Sequence, residues 1–166
     1  MNIVLIGLRG SGKSTVGEII SRKLNKTFYD LDSIIIKKEK KTIPEIVEKY
    51  GWEYFREKET EIIKKISKRG NSVIATGGGT IKRNENIDML KKNGEFIFLK
   101  TSIEQITVRI GDDKSRPSLN GKKSFIDEMQ EIWIMRKPIY EQTADIIIET
   151  DDKSQEEVAD EIINRL

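Results

Sequence analysis

Short apolar runs alternate with longer amphipathic segments along the whole chain. Five of the runs are rich in β-branched residues and predict buried strands, at 2–6, 27–30, 72–76, 95–99 and 145–149. Segments with helical spacing lie between them, and two of these, 52–69 and 85–93, run into glycines that predict helix ends, Gly70 and Gly94. Two further helices are predicted to begin with capping boxes, Thr42 with Glu45 and Ser154 with Glu157.

This alternation predicts the fold class. Strands that are apolar throughout and separated by helices indicate an α/β protein with a parallel sheet covered on both faces. The length of 166 residues is that of one domain, so we expect a single domain over 1–166. The polar stretch 111–124 fits no element, and a stretch that long in a compact domain indicates a functional lid or a disordered loop; a lid would lie at 112–123.

Composition excludes several classes of partner and site. The 30 basic and 28 acidic side chains leave a net charge of +2, so a bulk field for nucleic acid is absent. No apolar run reaches the length of a membrane span, and the first residues lack the pattern of a signal peptide, which predicts a soluble, cytoplasmic protein. Because the chain has no cysteine and no histidine, thiolate metal sites are excluded, and a general base must be a carboxylate, a lysine or a tyrosine.

The stretch GLRGSGKS, at 7–14, matches the phosphate-binding pattern G-x-x-x-x-G-K-[ST] between a predicted strand and a predicted helix. Its glycines let backbone N–H groups converge on phosphate oxygens, and the helix N-terminus favours an anion there. Lys13 adds a positive charge toward the β- and γ-phosphates, and Ser14 offers a hydroxyl to Mg²⁺. The alternative, a glycine turn that only joins strand to helix, is disfavoured by this position between a predicted strand and a predicted helix.

The sequence lacks the D-x-x-G and N/T-K-x-D motifs of a switch GTPase, which leaves a small phosphotransferase whose acceptor other motifs must define. In FYDLDS, at 28–33, Asp30 and Asp32 lie two apart, and in an extended chain both carboxylates would point to the same side. Such a pair needs a cation, a proton or a donor-rich ligand beside it.

Three more stretches follow in order along the chain. FREKE, at 55–59, places Arg56 and Glu59 on one helix face, and TGGGT, at 76–80, follows the third strand, at the end where open α/β sheets bind ligands. RKPIY, at 136–140, lies late in a helix after the predicted lid. Singly, each is also consistent with a surface ion pair, a plain turn or a helix end.

Together these motifs make the chain resemble the shikimate kinase family over essentially its full length: GLRGSGKST, DLD, FR with Glu59, GGG, RP in the lid, and RKPIY occur in the family's order. The resemblance implies a three-layer P-loop NTPase fold of the nucleoside-monophosphate-kinase type, with strand order 2-3-1-4-5 and a lid. It also implies ATP-dependent phosphorylation of the 3-hydroxyl of shikimate, a step of aromatic amino acid biosynthesis.

The resemblance further implies roles for individual residues. Phosphate and nucleotide contacts fall on Arg9, Gly10, Ser11, Gly12, Lys13, Ser14, Thr15, Arg109 and Arg116, with Arg109 beside adenine and Arg116 reaching from the lid over the transferring phosphate. Mg²⁺ falls to Ser14, with Asp30 supporting it through water. Shikimate contacts fall on Asp32, Arg56, Gly78 and Arg136. The first two lie within an acceptor region at 31–60, and the other two lie later in the chain. Lys13, Asp32 and Arg116 are the implied catalytic residues.

The chain departs from the family's habits at three positions and leaves two rival functions open. Val47 stands where relatives commonly carry an aromatic pocket residue, Trp52 where a carboxylate is common, and Ser118 where an apolar residue follows the lid proline. The rivals are a different small-molecule or nucleotide kinase and a non-catalytic ATP-binding module. A nucleobase acceptor would need no pair of carboxylate-binding arginines, and a non-catalytic module should have lost a site charge. We therefore expect a monomeric shikimate kinase that binds no nucleic acid and no membrane.

Overall fold

The computed structural model describes residues 1–110 and 124–166, so the predicted lid, with Arg116 and Ser118, lies outside the described residues. The described residues form one five-stranded parallel sheet in the order β2-β3-β1-β4-β5. Its strands are β1 Asn2–Ile6, β2 Thr27–Asp30, β3 Ser72–Ala75, β4 Gly94–Lys100 and β5 Ile146–Glu149. The strand positions and the order 2-3-1-4-5 confirm the predicted fold.

Seven α-helices connect the strands within the described ranges. They are α1 Lys13–Lys23, α2 Leu31–Glu39, α3 Ile43–Ile66, α4 Asn84–Lys91, α5 Ile103–Ile110, α6 Phe125–Thr143 and α7 Gln155–Arg165, with a 3₁₀ turn at Thr80–Lys82. Both predicted capping boxes are present, at the starts of α3 and α7. No helix in the described part of the chain is long and apolar enough to cross a membrane.

The sheet separates two apolar cores, and β1 faces both of them. Val4 and Ile6 join the core built with α2, α3, α4 and α6, whereas Ile3 and Leu5 join the core built with α1 and α7. All four side chains are at most 3% exposed. A central strand covered on both faces needs apolar side chains on both of them, which explains the run IVLI at 3–6.

The prediction that all five strands are buried throughout is wrong for β2 and β5. Thr27 in β2 is exposed, and in β5 Ile147 is 38% exposed and Glu149 is exposed. These are the two outer strands, and each pairs with one neighbour only. The helices that cover the middle of the sheet therefore reach only part of their surface.

Two predicted helix limits also differ from the structure. The segments 43–51 and 52–69 form one helix, α3, bent at Gly51, whose φ of 82° interrupts the helical backbone, and the helix ends at Ile66 instead of running to Gly70. Gly94 does not end α4 but begins β4. A Cβ there would lie 2.7 Å from the carbonyl oxygen of Leu90 and 2.8 Å from Val4, so close packing requires glycine.

Candidate active site

The phosphate loop joins β1 to α1 at the carboxyl edge of the sheet. Gly10 (φ 77°) and Gly12 (φ 94°) have left-handed backbone conformations, which glycine adopts without steric cost. The ammonium of Lys13 is buried and donates to the carbonyl oxygens of Gly7 (2.9 Å) and Leu8 (2.6 Å). The loop therefore surrounds one positive charge with backbone that curves tightly around it, as the phosphate-binding pattern predicts.

Asp30 lies directly beside this loop. It is the last residue of β2 and also the N-cap of α2, where its Oδ1 accepts from the backbone N–H of Ser33 (2.8 Å). Its Oδ2 accepts from the hydroxyl of Ser14. The side chains of Ser14 and Asp30, the two residues predicted to hold the metal, are therefore in direct contact.

The prediction that the carboxylates of Asp30 and Asp32 point to the same side of an extended chain is wrong. Only Asp30 is in the strand, and Asp32 is in the first turn of α2, because the helix begins at Leu31. The helical turn separates the two carboxylates. Asp30 lines the cavity over the phosphate loop, and Asp32 lines both that cavity and the neighbouring one.

The neighbouring cavity, which we call the acceptor pocket, brings together all four residues predicted to contact shikimate: Asp32, Arg56, Gly78 and Arg136. Its apolar walls include Trp52, Phe55 and Ile132. The cavity over the phosphate loop contains seven of the predicted nucleotide residues: Arg9, Gly10, Gly12, Lys13, Ser14, Thr15 and Arg109. Ser11 does not line it, because its side chain is 2% exposed and lies within the loop. Arg9 and Asp32 line both cavities, so the two adjoin.

Arg56 is held by a buried carboxylate and two aromatic rings. Its Nη1 donates to Oε2 of Glu59 at 3.0 Å, and the Glu59 side chain is fully buried, where it also accepts from the hydroxyl of Thr80. The guanidinium carbon lies 5.5 Å from the ring centroid of Trp52 and 5.2 Å from that of Phe55. A guanidinium so placed over aromatic faces is attracted by their π-electrons, which favours one orientation of its planar fork.

The glycines of TGGGT let the side chains of Arg56, Glu59 and Asp32 lie close to the backbone. A Cβ on Gly79 would lie 2.5 Å from Cζ of Arg56, and a Cβ on Gly77 would lie 2.6 Å from Oε1 of Glu59 and 3.1 Å from Oδ1 of Asp32. Any side chain at these two positions would displace the charged groups of the acceptor pocket. Because these neighbours are the ends of flexible side chains, a Cβ at Gly77 or Gly79 would push them aside, so the two glycines keep the charged groups of the pocket in place as well as forming a turn.

Arg136 lies on α6 and reaches the same glycine segment, donating from Nη1 to the carbonyl oxygen of Gly78 at 3.0 Å. Burial lowers the pKa of Arg136 from its usual value, and the nearby charge of Arg56 lowers it further. Partial burial, Arg136 and Arg56 likewise lower the pKa of Lys82. A cluster of cations whose charged forms are disfavoured is stabilised by an anion, so this pocket suits an anionic ligand.

Arg109 lies at the other end of the phosphate-loop cavity, near the end of α5. Its guanidinium donates to the carbonyl oxygen of Thr150 (3.3 Å) and approaches that of Ser11 (3.5 Å). Gln155, the first residue of α7, lines the same end. The cavity thus runs from the acceptor side at Asp32, across the phosphate loop, to Arg109.

Sequence reasoning missed several pocket residues. Trp52, which the sequence marks only as a departure from the family, lines the pocket, whereas Val47 packs against the apolar core. Glu128 and Ile132 of α6 line the pocket too, and Tyr140 contacts its backbone. Because residues four apart share a helix face, counting back and forward from Arg136 would have identified all three.

The comparisons with known proteins agree with this arrangement. Residues 9–166 match the family model described as shikimate kinase. A shikimate kinase of Caldicellulosiruptor saccharolyticus is 44% identical over 98% of this chain and 94% of its own length. Among solved structures, shikimate kinase from Acinetobacter baumannii in complex with shikimate has a TM-score of 0.93 at 34% identity, covering 99% of this chain and 91% of that one.

A second solved structure, shikimate kinase from Aquifex aeolicus, is 41% identical with a TM-score of 0.84 and covers 99% of this chain and 95% of that one. The strand order, the phosphate loop and the helices on both faces of the sheet are those of the P-loop NTPase fold. The sequence similarity spans nearly the whole of both chains. The chain belongs to the shikimate kinase family.

Proposed function

We propose that this chain transfers the γ-phosphoryl group of ATP to the 3-hydroxyl of shikimate, and that the acceptor pocket and the phosphate-loop cavity bind the two substrates side by side. The observation that carries the proposal is the convergence of Arg56, Arg136 and Asp32 on one pocket that adjoins the phosphate loop. Phosphoryl transfer depends mainly on positioning and on neutralising charge, and adjoining cavities supply both.

The carboxylate of shikimate is the group that the two arginines suit. Each has a planar fork of N–H donors that fits a carboxylate with two parallel hydrogen bonds. Among the described residues, Nη1 of Arg56 donates to Glu59 and Nη1 of Arg136 donates to the Gly78 carbonyl; a guanidinium carries five N–H donors, so each fork keeps N–H groups for the ligand. The lowered pKa of Arg136, caused first by burial and further by the charge of Arg56, supports the same assignment, since a bound carboxylate would favour the charged guanidinium.

Asp32 is our candidate for the general base that orients the 3-hydroxyl and accepts its proton. It lines both cavities, so it lies where an acceptor hydroxyl would meet the transferring phosphoryl group. Two other titratable groups near the pocket fit less well. Glu128 lines the acceptor pocket but not the cavity over the phosphate loop. Burial raises the pKa of Tyr140 to about 12, so that side chain remains a protonated donor.

ATP would bind with its phosphates in the phosphate loop, Arg9 to Thr15, beside the Lys13 ammonium, and with its base toward Arg109. The left-handed backbone at Gly10 and Gly12 supports the first part, because it curves the loop around the lysine. The second part is implied by the family resemblance and is consistent with the cavity, which Arg109 lines from the β5 side of the sheet, where it donates to the carbonyl oxygen of Thr150. ATP bound in this way would have its γ-phosphate at the boundary with the acceptor pocket.

Ser14 would ligate Mg²⁺ through its hydroxyl, and Asp30, which accepts from that hydroxyl beside the phosphate loop, would support the ion through water. The described residues contain no cluster of three or more carboxylate or other ligand side chains that could hold a metal. That suits Mg²⁺, which typically binds one or two protein oxygens, waters and substrate phosphates. When bound, the ion would neutralise charge on the β- and γ-phosphates.

The lid at 112–123 and Arg116 lie outside the described residues, and their part in the reaction stays a prediction from the sequence. The single-domain organisation, the monomeric state and the cytoplasmic location likewise stay predictions. In this proposal the lid would close over bound ATP and bring Arg116 to the developing phosphate charge, while excluding water that could otherwise be phosphorylated.

The proposal is tested by measuring ADP release from ATP and Mg²⁺ with shikimate, beside gluconate and nucleoside monophosphates as acceptors. We expect ADP release that saturates with shikimate and stays near the background hydrolysis rate with the other acceptors. Equal or faster release with gluconate or a nucleoside monophosphate would assign the chain to a different kinase activity. ADP release that none of the acceptors raises above the background hydrolysis rate would support a non-catalytic ATP-binding module.

A further inference from the structure

Tyr140 is fully buried and carries a hydroxyl that the proposed reaction does not use. It lies one turn after Arg136 on α6, and its ring stacks on Phe98 of β4 with centroids 4.9 Å apart and an interplanar angle of 20°. Its hydroxyl donates to the carbonyl oxygen of Gly78 at 2.5 Å. Burial keeps this group protonated, because it raises the pKa of Tyr140 to about 12.

The same carbonyl oxygen accepts from Arg136 at 3.0 Å. A carbonyl has two lone pairs, and both are used here by donors from one helix. Because the peptide unit is planar and trans, fixing the Gly78 oxygen also fixes the N–H of Gly79 on the opposite side of that unit. The hydroxyl of Tyr140 therefore restrains a peptide bond of the acceptor pocket as well as the side chain that shares its acceptor.

The glycine segment 77–79 has no side chains of its own to hold it in place. The carbonyl oxygens of Gly77 and Gly79 accept from the backbone N–H groups of Thr80 and Lys82, both within the local 3₁₀ turn. The Gly78 carbonyl instead connects the segment to α6. Glycine carries the largest conformational freedom of any residue, so the position of this segment depends on such hydrogen bonds.

We propose that Tyr140 is a positioning residue for the acceptor: its hydroxyl holds the Gly78 carbonyl and thereby fixes the glycine segment and the Arg136 guanidinium relative to each other. This inference rests on the proposed function, since it names a determinant of shikimate affinity at the same pocket. Without the hydroxyl, Arg136 is the remaining donor to that carbonyl, and both groups gain freedom. Ordering them would then accompany shikimate binding, which lowers affinity without altering the phosphate loop.

The test is Tyr140→Phe, which keeps the ring and its stack on Phe98 and removes one oxygen. We expect the KM for shikimate, and its Kd measured by calorimetry without nucleotide, to rise about 3- to 10-fold, the loss of one hydrogen bond. The KM for ATP stays unchanged. Tyr54→Phe is the matched control: the hydroxyl of Tyr54 donates to Oε2 of Glu39 at 2.9 Å, outside the acceptor pocket, so shikimate affinity is unaffected.

A second measurement separates positioning from packing. Because Tyr140 and Arg136 act on one carbonyl, Tyr140→Phe added to Arg136→Lys should raise the shikimate KM by less than the product of the two single effects. A lowered thermal midpoint with unchanged shikimate KM and Kd would make Tyr140 a packing residue and overturn the inference. If Tyr140→Phe does not fold, Tyr140→Met, which also lacks the hydroxyl and adapts to irregular cavities, takes its place.

Failure of this inference and failure of the proposed function give different results. An unaltered enzyme that shows no shikimate-dependent ADP release contradicts the proposed function itself. An active unaltered enzyme whose Tyr140→Phe variant has the same shikimate affinity contradicts only the positioning role.

Discussion

Replacing Arg136 by alanine removes one of the two guanidinium forks that we assign to the carboxylate of shikimate. In the structure this fork is partly buried, donates one hydrogen bond to the Gly78 carbonyl at 3.0 Å, and shares the acceptor pocket with Arg56. Truncating one partner of a desolvated, hydrogen-bonded charge pair costs about 2–5 kcal/mol. The lower half of that range applies here, because Arg136 is only partly buried and Arg56 still offers a positive charge to the ligand.

A loss of about 2–3 kcal/mol corresponds to a rise of roughly 30- to 150-fold in the KM for shikimate, at about 1.4 kcal/mol for each factor of ten. Arg136→Lys keeps the charge and loses the fork, so its effect should be smaller, about tenfold. The phosphate loop is untouched in both variants, and the KM for ATP should stay near that of the unaltered enzyme.

The assay is steady-state ADP release, with shikimate varied at saturating ATP and ATP varied at the highest practical shikimate concentration. Arg69→Ala is the control, since Arg69 lies at the opposite edge of the sheet, where its guanidinium donates to the hydroxyl of Tyr29. An unchanged shikimate KM in Arg136→Ala would show that the side chain does not contact shikimate and is only a helix residue of α6. Equal increases in the KM of both substrates would place it in a structural role shared by the two cavities.

Three further predictions concern other parts of the site. Asp32→Asn should lower kcat by about 10²–10⁴ with ATP affinity retained, whereas Asp30→Asn should raise the Mg²⁺ concentration for half-maximal rate; similar Mg²⁺ titrations for both would refute this division. Gly79→Ala should raise the shikimate KM strongly, because its Cβ would overlap the adjacent guanidinium, while Gly70→Ala, where the nearest atom is 3.8 Å away, should not. Arg116→Ala should cut kcat by orders of magnitude and change shikimate affinity less, and near-normal turnover would remove it from the mechanism.

The sheet was predictable because its signals are local. The run IVLI at 3–6 is apolar at every position, as the core-facing part of a central strand must be. The capping boxes at Thr42 and Ser154 mark helix starts by hydrogen bonds within four residues. The outer strands β2 and β5 were judged too buried, because sequence shows which residues are apolar but not which strand has a neighbour on one side only.

The acceptor pocket was predictable in its charges and not in its walls. Asp32, Arg56 and Arg136 lie in short motifs, whereas the apolar walls include Leu8, Ile43 and Trp52, which come from separate segments that only the fold brings together. Those are tertiary relations between segments far apart in sequence. The error at Asp30 and Asp32 had a local cause: Asp30 caps α2, so the chain leaves the strand one residue before Asp32.

The most direct test of the account is the position of the phosphate in the product. The enzyme is incubated with ATP, Mg²⁺ and shikimate, and the product is examined by two-dimensional ¹H–³¹P correlation NMR while ADP is quantified in the same sample. The account predicts one new phosphorus signal, coupled to the proton on C3 of shikimate, with one ADP formed for each molecule phosphorylated. Phosphate on another hydroxyl, or ADP formed without phosphorylated shikimate, would contradict it.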